Sequence, residues 1–448
     1  MWKAFSQKVG EFGRKVDAIQ GKFAFAFVEG VLVKALREGH WLLLDEVNLA
    51  PAETLQRLSG LLDGDSGSVA LTERGDIDVV RRHPNFRLFA CMNPATDVGK
   101  KDLPVALRAR FTEMFVDEME EESELREVVQ SYLRGVSKNQ HVVDIVSFYL
   151  AARALARKGD LFDGANQKVH FNLRSLTRTL QYVNFMQMQG YTFERALFEG
   201  ACMVFATQLA PACQPLMDKA IIQHLCRTAS TAGNSRPNLS NPDEYVCMGQ
   251  YTHGKTEFTG FYLKKGQGYG KLPIPTFILT PACQLNLRNI VRAVAPHRYP
   301  ILLQGPTSAG KTSMIEYLAA CTGHEWVRIN NHAHTDVQEY LGAYASDRFG
   351  KLVFCEGPLV QALRRGHWLV LDELNLAPSE VLEMLNRLLD DNRELLIPET
   401  QEIVKPHPHF NLFATQNPAG GAYGGRKVMS RAFRNRFLEV HVDDIPVS

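Results

Sequence analysis

At 448 residues the chain is about three times a domain of roughly 150 residues, so two or three domains are expected. Hydrophobic residues at 45% and charged residues at 22% exclude a disordered or collagen-like chain. Lys+Arg 50 against Asp+Glu 49 leaves a net charge of +1, which excludes a global field toward phosphate backbones or anionic lipid.

The opening Met1-Trp2-Lys3-Ala4-Phe5 lacks the charged-then-apolar order of a secretory signal. No apolar run reaches the roughly 18 residues of a membrane span, so an intracellular protein is expected. Next comes an apolar strand, His40 to Leu44, ending in Asp45-Glu46, then Leu88-Phe89-Ala90 leading to Asn93-Pro94-Ala95. Arg108-Ala109-Arg110-Phe111 stands ahead of a strand predicted over Glu113 to Val116. The acidic cluster Asp117 to Glu124 reads as the solvated start of a helix, where negative charge suits the dipole. From 120 to 232 apolar residues recur at spacings of three and four, as in Val143 to Ala156, and predict helices. Asn234 to Pro275, rich in Pro and Gly, reads as an irregular linker with a short hairpin. Strands follow at Ile301 to Leu303, Trp326 to Ile329, Leu369 to Leu371, Phe410 to Thr415 and Leu438 to Val442. His332, His334 and Asp336 look like metal ligands, but they follow a predicted strand and no cysteine or third histidine accompanies them, so no metal site is expected. The eight cysteines are scattered with no C-x-x-C pair, which suggests neither zinc nor disulfides and fits a reducing compartment.

One unit occurs twice. His40-Trp41-Leu42-Leu43-Leu44-Asp45-Glu46-Val47-Asn48-Leu49-Ala50-Pro51 returns from His367 to Pro378 with aliphatic exchanges only. The strand ending in Asn93 returns as the strand ending in Asn417, and Arg108 to Phe111 returns as Arg434-Asn435-Arg436-Phe437. The period far exceeds the 20 to 50 residues of a solenoid repeat, so a domain is duplicated.

Gly305-Pro306-Thr307-Ser308-Ala309-Gly310-Lys311-Thr312, followed by Ser313, fits G-x-x-x-x-G-K-[ST] between an apolar run and a helical run. Glycines let backbone N–H groups turn around phosphates, Lys311 would reach the β and γ phosphates, and Thr312 would place its hydroxyl on Mg²⁺. In such a site Asp372 would hold the Mg²⁺ shell and Glu373 would polarise the attacking water. Alternatively, the two acids begin the helix opened by Pro378 and Ser379. Asp45 and Glu46 match them in the first copy, whose own phosphate loop is expected upstream of Met1. Asn417 and Asn93 could hold the water or contact the γ-phosphate, or could form Asx turns before Pro418 and Pro94. Arg436 and Arg110 could reach a neighbour's γ-phosphate or be solvated surface arginines.

This order of phosphate loop, Asp-Glu strand, strand-ending Asn, arginine and helical lid resembles the AAA+ ATPases. Closest in pattern are the giant AAA+ rings, six modules in one chain, that mature the large ribosomal subunit in the nucleus. The likeness rests on the His-Trp to Pro motif, on Gln304 to Ser313, and on Asn386 to Leu395. It implies an α/β fold of P-loop NTPase AAA+ modules, each a parallel sheet flanked by helices, with an α-helical lid domain between them. The expected division is 1–118, the later part of one core; 119–233, the lid; 234–278, the linker; and 279–448, a second core with phosphate loop, Asp-Glu strand and Asn but no lid. Arg110 and Arg436 then match arginine fingers, and Asn93 and Asn417 match sensor 1. Asn172-Leu173-Arg174-Ser175 resembles sensor 2, with Arg174 as its arginine. Lys22 to Phe27 and Lys351 to Gly357 resemble a hairpin insert. ATP and Mg²⁺ are the implied cofactors. The implied partners are other modules of the ring and pre-60S ribosomal particles with their assembly factors, with no membrane and no direct nucleic-acid site. No basic import run is evident, so a nuclear location (nucleolus and nucleoplasm) rests on the resemblance alone.

The long linker, acidic region and adhesion-type domain of such rings are lacking here. Arg436 is expected to complete the site of Asp45 and Glu46, and Lys311's site to need an arginine from elsewhere. Since arginine fingers supply about 10³ to 10⁵ in rate, the isolated chain is expected to bind ATP weakly and hydrolyse it very slowly. A non-hydrolysing scaffold cemented by nucleotide, a dynein-like motor and a MoxR-like chaperone are the alternatives.

Overall fold

The computed structural model describes residues 29–64, 67–71, 79–93, 102–133, 139–164, 167–225, 236–253, 256–346, 352–390, 392–417 and 429–442. The hairpin insert expected over Lys22 to Phe27 lies outside them, as does Lys351. The chain divides into two compact units, Met1–Val116 and Asp117–Ser448.

In the first unit α1 (Val31–Glu38) stops at Gly39, whose φ of 75° suits a residue without Cβ. Then follow β1 (Trp41–Leu44), a 3₁₀ turn at Val47–Leu49 and α2 (Ala52–Leu61). β2 (Ser68–Ala70) pairs antiparallel with β3 (Val79–Arg81), and β4 (Arg87–Ala90) runs parallel to β1 with Leu44 opposite Ala90. A short α3 (Val105–Arg108) closes the unit over Leu36, Leu58, Leu61, Phe86 and Leu107. The strand predicted over Glu113 to Val116 is a correction: no strand forms there, and Met114, Phe115 and Val116 are exposed. A strand exists only by pairing, and among the described residues of this unit nothing stands beside that segment as a sheet neighbour.

The second unit opens with helices α4 (Glu122–Tyr132), α5 (Asn139–Lys158), α6 (Leu173–Met188), α7 (Phe193–Ala201) and α8 (Gln214–Leu225), with a π-helical turn at Cys202–Ala206. A capping box between Asn172 and Ser175 starts α6, and the Thr192 side chain caps α7. Their apolar faces meet over Leu125, Val129, Ile145, Leu180, Val183 and Met186. The acidic cluster is not simply a solvated helix start. Glu118 and Glu120 both pair with the buried Arg153, and Glu120 also pairs with Arg157.

The segment read as irregular linker also needs correction. β5 (Tyr245–Met248) pairs with β8 (Phe261–Lys264), and inside them β6 (Tyr251–His253) pairs with β7 (Thr256–Phe258), giving a nested antiparallel hairpin. Phe261 and Leu263 are fully buried. Pro and Gly punctuate short strands as readily as coil, so composition alone does not separate the two.

A core of alternating strands and helices completes the unit. In chain order come α9 (Pro281–Val294), β9 (Ile301–Gln304), α10 (Lys311–Thr322), β10 (Trp326–Asn330), α11 (Val337–Leu341) and the antiparallel pair β11 (Gly342–Ser346) and β12 (Leu352–Glu356). Then follow α12 (Pro358–Arg365), β13 (Trp368–Asp372), a 3₁₀ turn at Leu374–Leu376, α13 (Ser379–Leu389) and the pair β14 (Leu395–Ile397) and β15 (Glu402–Val404). β16 (Asn411–Gln416), α14 (Arg431–Arg434) and β17 (Leu438–His441) end it. Five strands form one parallel sheet in the order β10-β13-β16-β9-β17. The inner strands β9, β13 and β16 are covered on both faces and buried along their whole length. Successive residues part between two cores: Trp368 and Val370 join Ile301 and Leu303 on one face, Leu369 and Leu371 join Leu302 and Leu412 on the other. From α12 onward the elements repeat the order of the first unit from α1 onward.

The helical layer and this core are bonded together. Glu199, fully buried on α7, accepts from Arg288 (2.8 Å) and Arg292 (2.6 Å) on α9. Burial pushes the Glu199 carboxyl up, but the guanidinium charges of Arg292 and Arg288 outweigh it and hold it below the usual range.

Candidate nucleotide-binding site

The site lies at the carboxyl ends of β9, β13 and β16, where parallel α/β sheets bind ligands. After β9 the chain turns sharply. A Cβ on Gly305 would come within 2.2 Å of the Val442 carbonyl oxygen, so only glycine fits. Ser308 (φ 64°) and Gly310 (φ 77°) are left-handed, a conformation that turns neighbouring amides of Thr307 to Ser313 into an anion-holding concavity. The loop feeds the N-terminus of α10, whose dipole adds positive potential there.

Lys311 is buried, and its Nζ donates to the carbonyl oxygens of Gly305 (2.8 Å) and Pro306 (2.6 Å) and to Asn417 Oδ1 (2.8 Å). Asn417 Nδ2 donates to Glu373 Oε1 at 3.0 Å. One amide therefore bridges the lysine and the acid. Asn375 Nδ2 in turn donates to the Asn417 carbonyl at 3.1 Å. Asp372 ends β13 and accepts from Thr312 Oγ1 (3.4 Å), from the Thr415 hydroxyl and from Arg328. Neither acid opens α13. Glu373 has φ 49°, the left-handed backbone that a side chain adopts under constraint and that recurs at functional sites.

The first copy repeats part of this. Glu46 has φ 53°, Asn93 Nδ2 donates to Glu46 Oε1 at 3.4 Å, and Asn48 Nδ2 donates to the Asn93 carbonyl at 3.1 Å. Asp45 Oδ1 accepts from the Glu46 amide at 3.0 Å.

The arginines fall elsewhere. Arg436 is buried, neither solvated nor extended, and its Nε donates to Asp390 Oδ1 at 2.6 Å. Arg110 makes the matching bond to Asp63 at 2.5 Å and also donates to the Ser59 carbonyl. Arg174 is exposed on the first turn of α6 and lines a polar pocket with Asn172, Arg178 and Asn435. That pocket shares no lining residue with the Lys311 cluster.

Sequence reading missed Arg328 and Thr415. Both depend on strand register: β10 lies beside β13 with Asn330 opposite Asp372, and β16 on the other side with Ala414 opposite Leu371. The Thr312 hydroxyl and Asp372 carboxylate are hard oxygen donors, few in number, which fits a Mg²⁺ that keeps waters and phosphate oxygens as its other ligands. Among the described residues no group of three or more His, Cys, Asp or Glu side chains could hold a metal ion. His332 instead accepts the His334 amide within a turn closed by Thr335.

Comparison with known proteins gives the class. The model of the AAA domain family, dynein-related subfamily, matches residues 13–111 and 300–437, and that of the midasin AAA lid domain matches 124–228. The chain belongs to the dynein-related AAA domain family, whose members bind nucleotide with a divalent metal ion. It is similar to a segment of midasin: 53% identical to midasin of Dictyostelium discoideum over 99% of this chain, and 40% identical to that of Giardia intestinalis over 96%. The chain spans only 8% and 9% of those two relatives. An uncharacterized protein of Staphylococcus haemolyticus is 38% identical over 32% of this chain and 56% of its own length.

Proposed function

We propose that this chain is a segment of an ATP-driven remodelling ring whose modules bind and hydrolyse ATP at their boundaries to release assembly factors from pre-60S ribosomal particles in the nucleus. The supporting observation is the hydrogen-bonded chain of Lys311, Asn417 and Glu373 beside Thr312 and Asp372, at the mouth of a left-handed loop on a helix N-terminus. The similarity to midasin supports the ribosomal setting and the ring partners.

In this reading the amides of Thr307 to Thr312 cradle the triphosphate, and Lys311 exchanges loop carbonyls for β and γ oxygens. Thr312 and Asp372 would hold Mg²⁺, which would supply neutralising charge to the phosphates. Glu373 orients a water and takes its proton, while Asn417 fixes both Glu373 and Lys311. Asp45, Glu46 and Asn93 have the matching roles in the first copy. Arg436 and Arg110 serve neighbouring sites after exchanging Asp390 or Asp63 for phosphate, and Arg174 supplies the lid arginine.

A second reading, a scaffold that binds nucleotide without hydrolysis, draws support from the closure of Arg436 on Asp390. Glu373→Gln in the complete ring separates them. Remodelling predicts retained ATP binding at this module with lower ATP turnover; unchanged turnover would favour the scaffold and contradict the main reading.

A further inference from the structure

The two copies differ at the strand position level with the first acid of the Asp-Glu pair, Thr415 in the second and Cys91 in the first. On β16 Thr415 is 1% exposed. Its hydroxyl donates to Asp372 Oδ1 and accepts the Glu373 amide at 3.0 Å. A hydroxyl has one proton and two lone pairs, so a single side chain serves both acids at once. The left-handed turn at Glu373 is thereby satisfied without drawing on the Asp372 carboxylate.

In the first copy, β4 lies beside β1 with Leu44 opposite Ala90, so the residue level with Asp45 is Cys91. A thiol is a weak donor and a weak acceptor. There the Glu46 amide bonds instead to Asp45 Oδ1 at 3.0 Å, which turns that oxygen back onto its own backbone. The same turn, φ 53° in one copy and 49° in the other, thus finds two different acceptors.

We propose that Thr415 is a positioning residue. It takes the Glu373 amide and at the same time anchors Asp372 Oδ1 with its own proton, so the carboxylate is held off its own backbone and in one orientation for the cation, and Cys91 leaves the first copy without that device. The proposal rests on the reading of the Lys311 cluster as an ATP and Mg²⁺ site. Arg328 bonds to Oδ2 of Asp372, the other carboxylate oxygen, and does not substitute for the hydroxyl.

The test uses the chain and three variants, Thr415→Val, Thr415→Cys and Thr415→Ser, each titrated with a fluorescent ATP analogue in Mg²⁺ and in EDTA, with the thermal midpoint of each measured. Because a buried hydrogen bond to a charged group is lost, Thr415→Val and Thr415→Cys are expected to lose about tenfold of the Mg²⁺-dependent gain in affinity, and Thr415→Ser to keep it. Affinity in EDTA is expected to stay unchanged in all three. A Thr415→Val chain with the wild-type Mg²⁺ gain would overturn the proposal. So would equal losses with and without Mg²⁺ alongside a lowered midpoint, since Thr415 would then be a packing residue. A wild-type chain that binds no nucleotide would overturn the reading of the site itself, and this inference with it.

Discussion

Single residues carry opposite demands at the two ends of the parallel sheet. At the end bearing Asp372, charge is concentrated; at the end where β13 begins with Trp368, a cluster of imidazole rings is kept neutral. His324 stacks on Trp368 with ring centroids 4.8 Å apart, and His297 and His409 lie 6.1 Å and 5.6 Å from it. Burial, with the neighbouring His409, Arg393 and Lys264, pushes His297 down to about 4. Burial, then His297 and His409, pushes His324 down to about 3. Both rings are therefore neutral in the fold at pH values where the unfolded chain, near 6.5, takes up protons. Their contribution to stability is complete above pH 6.5 and is lost as pH falls toward 4 and 3. Denaturant midpoints measured between pH 7 and pH 5 should fall, by about 2 kcal/mol of stability for each ring. His324→Gln should flatten that slope, and a slope unchanged by the substitution would contradict the assignment.

At the scale of elements, the sequence showed the strands that end in Asp372 and Asn417 and the loop before α10, because local patterning alone dictates them. It did not show what depends on pairing across long stretches of chain. Thr415 and Arg328 reach Asp372 only because β16 and β10 flank β13, and the segment 113–116 lacks the strand that its patterning predicts because no neighbour pairs with it among the described residues. Phe261 and Leu263 sit in a nested hairpin that its own composition disguises as coil. The bond between α7 and α9 was equally hidden, since Glu199, Arg288 and Arg292 are unremarkable charges until helices bury them together. Glu199→Gln leaves two buried guanidiniums short of their counter-charge. It should cost about 3–5 kcal/mol in chemical denaturation, whereas a loss under about 1 kcal/mol would show the network to be energetically idle.

For the whole molecule, the duplication is the governing fact, and it was legible in full at the level of motif. Both copies set the second acid of the pair in a left-handed turn and bond it to the strand-ending Asn, and both close an arginine on an aspartate behind the turn. The phosphate loop stands in the second copy, with its lysine already bonded to the asparagine that holds the acid. That arrangement makes the second copy the place where nucleotide binding should be found. The direct measurement is equilibrium binding of a fluorescent ATP analogue with Mg²⁺ to the chain and to Lys311→Ala. The account predicts saturable binding by the chain that the variant loses. Equal binding by both, or binding by neither, would contradict it.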